Sequence, residues 1–319
     1  MTDAADLRPG EVQLGDVDLV AETAPAAPAV ELPVARFWRE FRASPVAVAG
    51  LVVVVLITLA AVFAPFITPQ DPYDLAQLSI LDGRLPPLSQ AMDGSTFWLG
   101  TDDQGRDMLS AIIYGLRISL GIGAMSTFVA MLIGGSLGLL AAYHGGRLES
   151  LIMRVVDLQL SFPAILVALI LLAVLGRGVD KVLIALIIVQ WAYYARTIRG
   201  QALVERRKEY IEAARCLALS GRRIVFRHLL PNCLPPVIVV GTVQVANAIA
   251  LEATLSFLGV GVPITEPSLG LLIANGYNYM LSGDYWISFF PGIALVVAVV
   301  ALNLVGDRLR DVLNPRLRQ

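Results

Sequence analysis

Six apolar stretches run along this chain, and five of them are too long to be hidden inside a water-soluble fold. The first runs from Val46 to Phe66 and the second from Ile118 to Tyr143, and neither contains a charged residue. A third covers Leu158 to Leu175, a fourth Val182 to Ala195, a fifth Cys233 to about Gly259, and a sixth Tyr285 to Val305. A helix rises about 1.5 Å per residue, so about 20 apolar residues cross the hydrocarbon of a bilayer. Only the fourth stretch is short unless it extends past Arg196, and its flanking Trp191, Tyr193 and Tyr194 suit a membrane interface. Within lipid every backbone polar group must be paired inside its own segment, which leaves helices as the solution here. The expectation is an all-α integral membrane protein of six transmembrane helices. Composition agrees, since 16% charged residues are too few to coat a soluble domain of 319 residues.

Basic residues set the orientation. With the N-terminus in the cytoplasm, 19 Lys and Arg fall on the cytoplasmic side and 5 on the other. Both termini are then cytoplasmic. The loop from Ile67 to Arg117 is external, rich in Asp and Pro, and with Trp98 it reads as an ordered cap. Residues 1–35 form a polar, Ala- and Pro-rich cytoplasmic tail without the apolar run of a signal peptide, and the expectation there is disorder. The remaining divisions are 36–110 for the first helix and external loop, 111–308 for the core bundle, and 309–319 for a cytoplasmic tail.

Several chemistries find no support in the residues. The only lysines, Lys181 and Lys208, do not follow a glycine, so no phosphate-cradling loop is present and any ATP is bound by another chain. Cys216 and Cys233 read as unpaired thiols, and His144 and His228 have no partner at ligand spacing. No metal site, nucleophile–base pair or nucleic-acid surface is expected.

Polar residues inside spans face the bundle interior or a water-filled path. Gln190, Gln244, Asn247 and Asn303 are of this kind, with Gln190, Gln244 and Asn247 taken as candidates for a translocation wall. Helix–helix hydrogen bonding is the plainer reading for each. Glu252, near the outer end of its span, is expected to pair with an arginine. Gly134 and Gly138 form a G-x-x-x-G step that allows close helix contact, within the bundle or with a second subunit.

The cytoplasmic loop from Arg199 to Asn232 is long and basic. Tyr210, Ala213, Ala214 and Leu217 fall at i, i+3, i+4 and i+7, which predicts one apolar face of a short helix opposite Glu212 and Arg215. Here Glu212-Ala213-Ala214, followed by Leu230-Pro231-Asn232, resembles the "EAA" loop of ABC importer permeases. Further blocks match in order: Phe97 to Ser110, Tyr114 to Leu120, Arg154 to Pro163, Glu252 to Val262 and Asn303 to Leu317. Together they are similar to the C-type permease of the dipeptide/oligopeptide/nickel group, from about Arg36 onward.

That resemblance implies a type I importer permease (MetI-like) fold in a bacterial inner membrane. It also implies a homologous second permease, two cytoplasmic ATPase subunits holding ATP and Mg, an external solute-binding protein and the lipid bilayer as partners. The EAA loop would be the coupling helix, with Tyr210, Glu212, Ala213, Ala214, Leu217 and Ala218 docking on the ATPase. The family glycine is replaced by Ala218, so Gly221 is expected to make the turn and the helix to run longer. Pro231, Pro235 and Pro236 would form a stiff elbow to the fifth span. Peptides lead as solute, with nickel chelates or another small solute as alternatives. An ion-coupled secondary transporter is the rival class, and it would need acidic residues near the midplane.

Overall fold

The structure, a computed structural model, describes residues 33–74, 78–91 and 94–313. An amphipathic helix α1 (Pro33–Arg42) leads into α2 (Pro45–Val62), whose start is capped by the Ser44 side chain accepting from the Ala47 N–H. α2 buries only Ala47, Gly50 and Ala61, and exposes Val52, Leu56 and Leu59. Such an outward apolar face is stable only against lipid or another subunit. A short α3 (Ala64–Ile67) opens the loop that precedes α4.

That loop is tied down. A two-residue hairpin, β1 (Ser89–Gln90) and β2 (Thr96–Phe97), pairs Ser89 with Phe97. Thr101 donates to the Asp82 carbonyl at 2.6 Å, and its own carbonyl accepts from Trp286 Nε1 at 3.1 Å. Gly100 has φ of +80°, and a Cβ there would lie 2.9 Å from Trp286 Nε1. Backbone conformation and space both demand glycine at that position. Trp98, by contrast, is exposed.

The core is built from α4 (Met108–His144), α7 (Val179–Glu205), α10 (Leu230–Phe257) and α12 (Trp286–Leu313), with the short α11 (Leu269–Tyr277) between the last two in the chain. Among the described residues five helices, α2 among them, are long and apolar enough to cross a membrane. The third expected span is not one rod. It divides into α5 (Gly146–Ser161) and α6 (Ala164–Leu175), which meet at 93°, so the pair makes the sixth crossing only as a bent unit. The break falls at Phe162-Pro163, where proline excludes the preceding residue from helical geometry. α7 runs past Arg196 to Glu205, so the fourth span is 27 residues long rather than short. α4 starts at Met108, and the division drawn at 110/111 falls inside its first turn. Of the two tails, 1–32 and 314–319 lie outside the described residues, while 33–35 and 309–313 are helical.

Close contact between α4 and α7 holds the bundle. A Cβ on Gly134 would sit 2.0 Å from the Trp191 carbonyl oxygen, and one on Gly138 2.3 Å from that of Ala195. The G-x-x-x-G step is therefore consumed within this chain. Glu252 is fully buried and accepts from Ser119 Oγ at 2.7 Å and Ser256 Oγ at 2.8 Å. The arginine expected beside it is replaced by these two hydroxyls.

Candidate functional site

Two features carry functional geometry: a short helix beyond α7, and a cavity between α6, α7 and α10. The helix is α8 (Glu209–Cys216). Ile211 and Ala214 are its buried residues, packed with Leu219 and Ile224. Glu212, Ala213 and Ala218 are exposed, as is Leu217 at 75%, and Tyr210 stands at the edge of exposure. The apolar face expected from Tyr210, Ala213, Ala214 and Leu217 is thus divided. Ala214 turns inward with Ile211, which the periodicity reading left out, and the other three turn outward. An inward face of Ile211 and Ala214 is what a helix of two turns needs to stay seated on its own chain.

The end of α8 corrects a second expectation. Ala218 itself takes the left-handed turn, with φ of 53°. The Leu219 N–H bonds the Ala214 carbonyl at 3.1 Å and the Ala218 N–H bonds that of Arg215 at 2.9 Å. These are the paired bonds of a Schellman cap, with the apolar Leu219–Ala214 contact that accompanies it. The helix stops at Cys216 and does not run longer. Gly221 has another role, since a Cβ there would collide with the Tyr143 hydroxyl at 2.2 Å.

Polar ties fix α8 to the bundle. Glu205, at the end of α7, accepts from Lys208 Nζ at 2.7 Å, Gln201 Nε2 at 3.1 Å and the Tyr210 hydroxyl at 2.7 Å. Desolvation and the donated bond to Glu205 push the Tyr210 hydroxyl up to about 12. Arg199 donates twice to Glu149 Oε1 of α5, at 2.8 and 2.5 Å, and Arg206 to the Ala142 carbonyl at 2.6 Å. Glu205 was missed at the level of sequence. Its signal was one acid set against Arg206, Arg207 and Lys208.

From α8 the chain passes through α9 (Gly221–Arg223) and a π-helical stretch, Ile224–Leu229, directly into α10. Pro231, Pro235 and Pro236 lie within the first two turns of α10. Each proline removes a backbone donor and crowds the carbonyl four residues back; the wider π turn ahead accommodates this for Pro231, while Pro235 and Pro236 lie inside the α-helix. The junction is a continuous helix with a π segment, rather than an elbow.

The cavity, about 340 Å³, is lined by Gln190, Tyr193, Gln244 and Asn247 with Ala164 and Leu251 among its apolar walls. All three candidate wall residues meet here. Gln190 is buried and bonded to Thr127 at 3.0 Å and Ser126 at 3.4 Å on α4. Asn247 is exposed and donates to Gln244 Oε1 at 2.8 Å.

A bent, multi-pass helical bundle with a small helix seated beyond its fourth crossing has the fold of an ABC transporter's membrane subunit. The inward-facing MetNI methionine ABC transporter superposes with a TM-score of 0.53, at 23% identity, over 64% of this chain and 97% of that one. Residues 134–319 match the family model of the binding-protein-dependent transport system inner membrane component, and residues 33–87 that of the N-terminal TM domain of oligopeptide transport permease C. The chain belongs to the binding-protein-dependent transport system inner membrane components. It is 38% identical to the di/tripeptide transport system permease protein DppC of Pseudomonas aeruginosa, covering 90% of this chain and 93% of the relative. It is 35% identical to the dipeptide transport system permease protein DppC of Haemophilus influenzae, covering 91% and 97% respectively.

Proposed function

We propose that this chain is one of two homologous permeases of an ATP-driven importer in the bacterial cytoplasmic membrane, and that its solute is a short peptide. It performs no catalysis. ATP and Mg belong to a separate ATPase that seats on α8, and an external binding protein delivers the solute. The observation that carries this reading is the division of α8. One face, Ile211 and Ala214, is anchored on the chain, and the other presents Glu212, Ala213 and Leu217 to the outside.

Force on α8 has two short routes into the bundle. One is the Tyr210–Glu205 bond into α7, and the other is the π segment into α10. Both helices line the cavity of Gln190, Gln244 and Asn247, so moving α8 against a partner copy reshapes that cavity. Rigid-body gating needs such stiff links. The peptide solute rests on the relatives, whose names specify di- and tripeptides.

The test is Glu212→Lys, together with Ala213→Trp on the outward face. Both variants are expected to insert into the membrane at the wild-type level, to lose ATPase co-purification or ATP-driven uptake, and to leave the bundle intact. Normal uptake with the ATPase still bound would overturn the assignment.

A further inference from the structure

The end of the bundle opposite α8 holds a second polar cavity, of about 480 Å³. Arg117 and Gly121 come to it from α4, Val179 from the start of α7, Glu266 from the loop after α10, and Tyr73 from the loop before α4. It shares no lining residue with the inner cavity. One apolar cluster supplies walls to both, through Ile118, Ile122 and Val179 on one side and Ala164, Val189 and Leu251 on the other. The two cavities therefore border one packed apolar cluster, which separates them.

The polar groups of the outer cavity are unusual in kind. It holds one cation, one anion and one phenol. Arg117 is exposed and Glu266 half-buried, and neither forms an ion pair among the described residues. Both act on Tyr73, whose hydroxyl burial pushes up to about 12, with the Glu266 charge adding to that rise and the Arg117 charge opposing it. The Tyr73 ring is held edge-on to Tyr114 at 5.2 Å. Two opposite charges that share a cavity and do not meet leave room for a ligand carrying the complementary pair.

We infer that this outer cavity is a receiving site for the peptide as it leaves the binding protein, with Arg117 taking the peptide's carboxylate and Glu266 its ammonium group. Every free peptide carries that pair of charges whatever its side chains are. Arg offers a planar fork that matches a carboxylate. A dipeptide spans roughly 7 Å, and a cavity of this volume falls in the range that encloses small ligands, about 300–1,000 Å³. The inference rests on the peptide reading above and narrows it to peptides with both ends free.

The test uses the assembled transporter in right-side-out vesicles, without binding protein. A Cβ on Gly121 would meet nothing within 4 Å, so Gly121→Cys places a thiol in the cavity without strain. Its labelling by a membrane-impermeant thiol reagent is read with the wild-type complex as background. Dialanine at twice its Kd is expected to slow labelling about threefold. N-acetyl-dialanine amide is expected to give no protection, and Arg117→Gln or Glu266→Gln to abolish protection by dialanine. Arg117→Lys should retain part of it, which a purely structural role would not produce. Equal labelling with and without dialanine, or equal protection by the blocked peptide, overturns the inference. Uptake with binding protein is measured in parallel. Peptide uptake without protection sinks this site alone, and no peptide uptake sinks the peptide reading.

Discussion

The Tyr210 hydroxyl donates to Glu205 at 2.7 Å, joining the start of α8 to the last residue of α7. The same carboxylate holds Lys208, so one acid anchors the whole entry into α8. Tyr210→Phe removes the bond while keeping the ring. A bond to a charged group contributes about 1.5–3 kcal/mol when buried, and exposure at Tyr210 reduces this toward about 1 kcal/mol. The expected outcome is intact ATPase binding with fewer solute molecules moved per ATP, read as a coupling ratio in proteoliposomes. The pH sign follows from the raised hydroxyl. The bond contributes fully below the ordinary value of 10.0 and is lost only as pH rises toward about 12. Wild-type and Tyr210→Phe coupling should therefore differ by the same factor from pH 6 to 9.

Ala218 sits at φ of 53°, in the left-handed region. A residue with a Cβ is disfavoured there by about 1–2 kcal/mol. Ala218→Gly relieves that cost but adds about 0.4–1 kcal/mol of unfolded-state entropy. The net expectation is a gain of a few tenths to about 1 kcal/mol, read as a higher thermal midpoint of the purified complex with uptake unchanged. Ala218→Val should move the midpoint the opposite way.

These two sites mark where sequence reading reaches and where it stops. Length and apolarity located the long helices well, because lipid rewards both. They did not locate the break at Phe162-Pro163, since hydropathy averages over a bend. They gave the fourth span as Val182 to Ala195 unless it extends past Arg196, and the helix does extend, with Arg199 pairing to Glu149 on α5. The face of α8 was misdrawn for a similar reason. Ala213 and Ala214 both fit the apolar template, and only the packing of Ile211 against Ile224 decides which one turns inward. Gln190, Gln244 and Asn247 were legible as polar residues in apolar runs. Their meeting in one cavity was not, because it depends on how α7 crosses α10.

The glycines of α4 separate close packing from open space. Gly134→Ala would put a methyl 2.0 Å from the Trp191 carbonyl oxygen, and backbone cannot swing aside. Overpacking of this kind costs about 1–3 kcal/mol or more. Membrane levels and thermal stability should fall for Gly134→Ala and Gly138→Ala. Gly121→Ala, which meets nothing within 4 Å, should match wild type.

In the loop before α4, burial pushes the Asp102 carboxyl up to about 6, against backbone N–H bonds from Arg106 and Gln104 and the Arg106 charge. The folded loop thus disfavours the ionised form relative to the unfolded chain, whose value is near 3.8. Stability should rise as pH falls through about 6 toward 4. The gain between pH 7 and 5 is on the order of 1 kcal/mol. Limited proteolysis of the loop in the purified protein should therefore slow as pH drops over that range. Faster cleavage at pH 5 would place the carboxyl in the ordinary acidic range.

The inner cavity gives the last prediction, because its three polar residues are held differently. Gln190 satisfies Thr127 and Ser126 across the α4–α7 contact and is buried. Gln190→Leu leaves those hydroxyls without their partner, at about 1–3 kcal/mol, so its first effect should be lost stability. Asn247 is exposed to the cavity and bonded only to Gln244 among the described residues. Asn247→Leu keeps the helix and places an apolar group where a hydrated solute would pass. Its expected effect is uptake lowered about fivefold, a barrier change of about 1 kcal/mol, at unchanged ATPase binding and with a thermal midpoint lowered by no more than the loss of the single bond to Gln244. A stable Asn247→Leu complex with wild-type uptake would remove this cavity from the path of the solute.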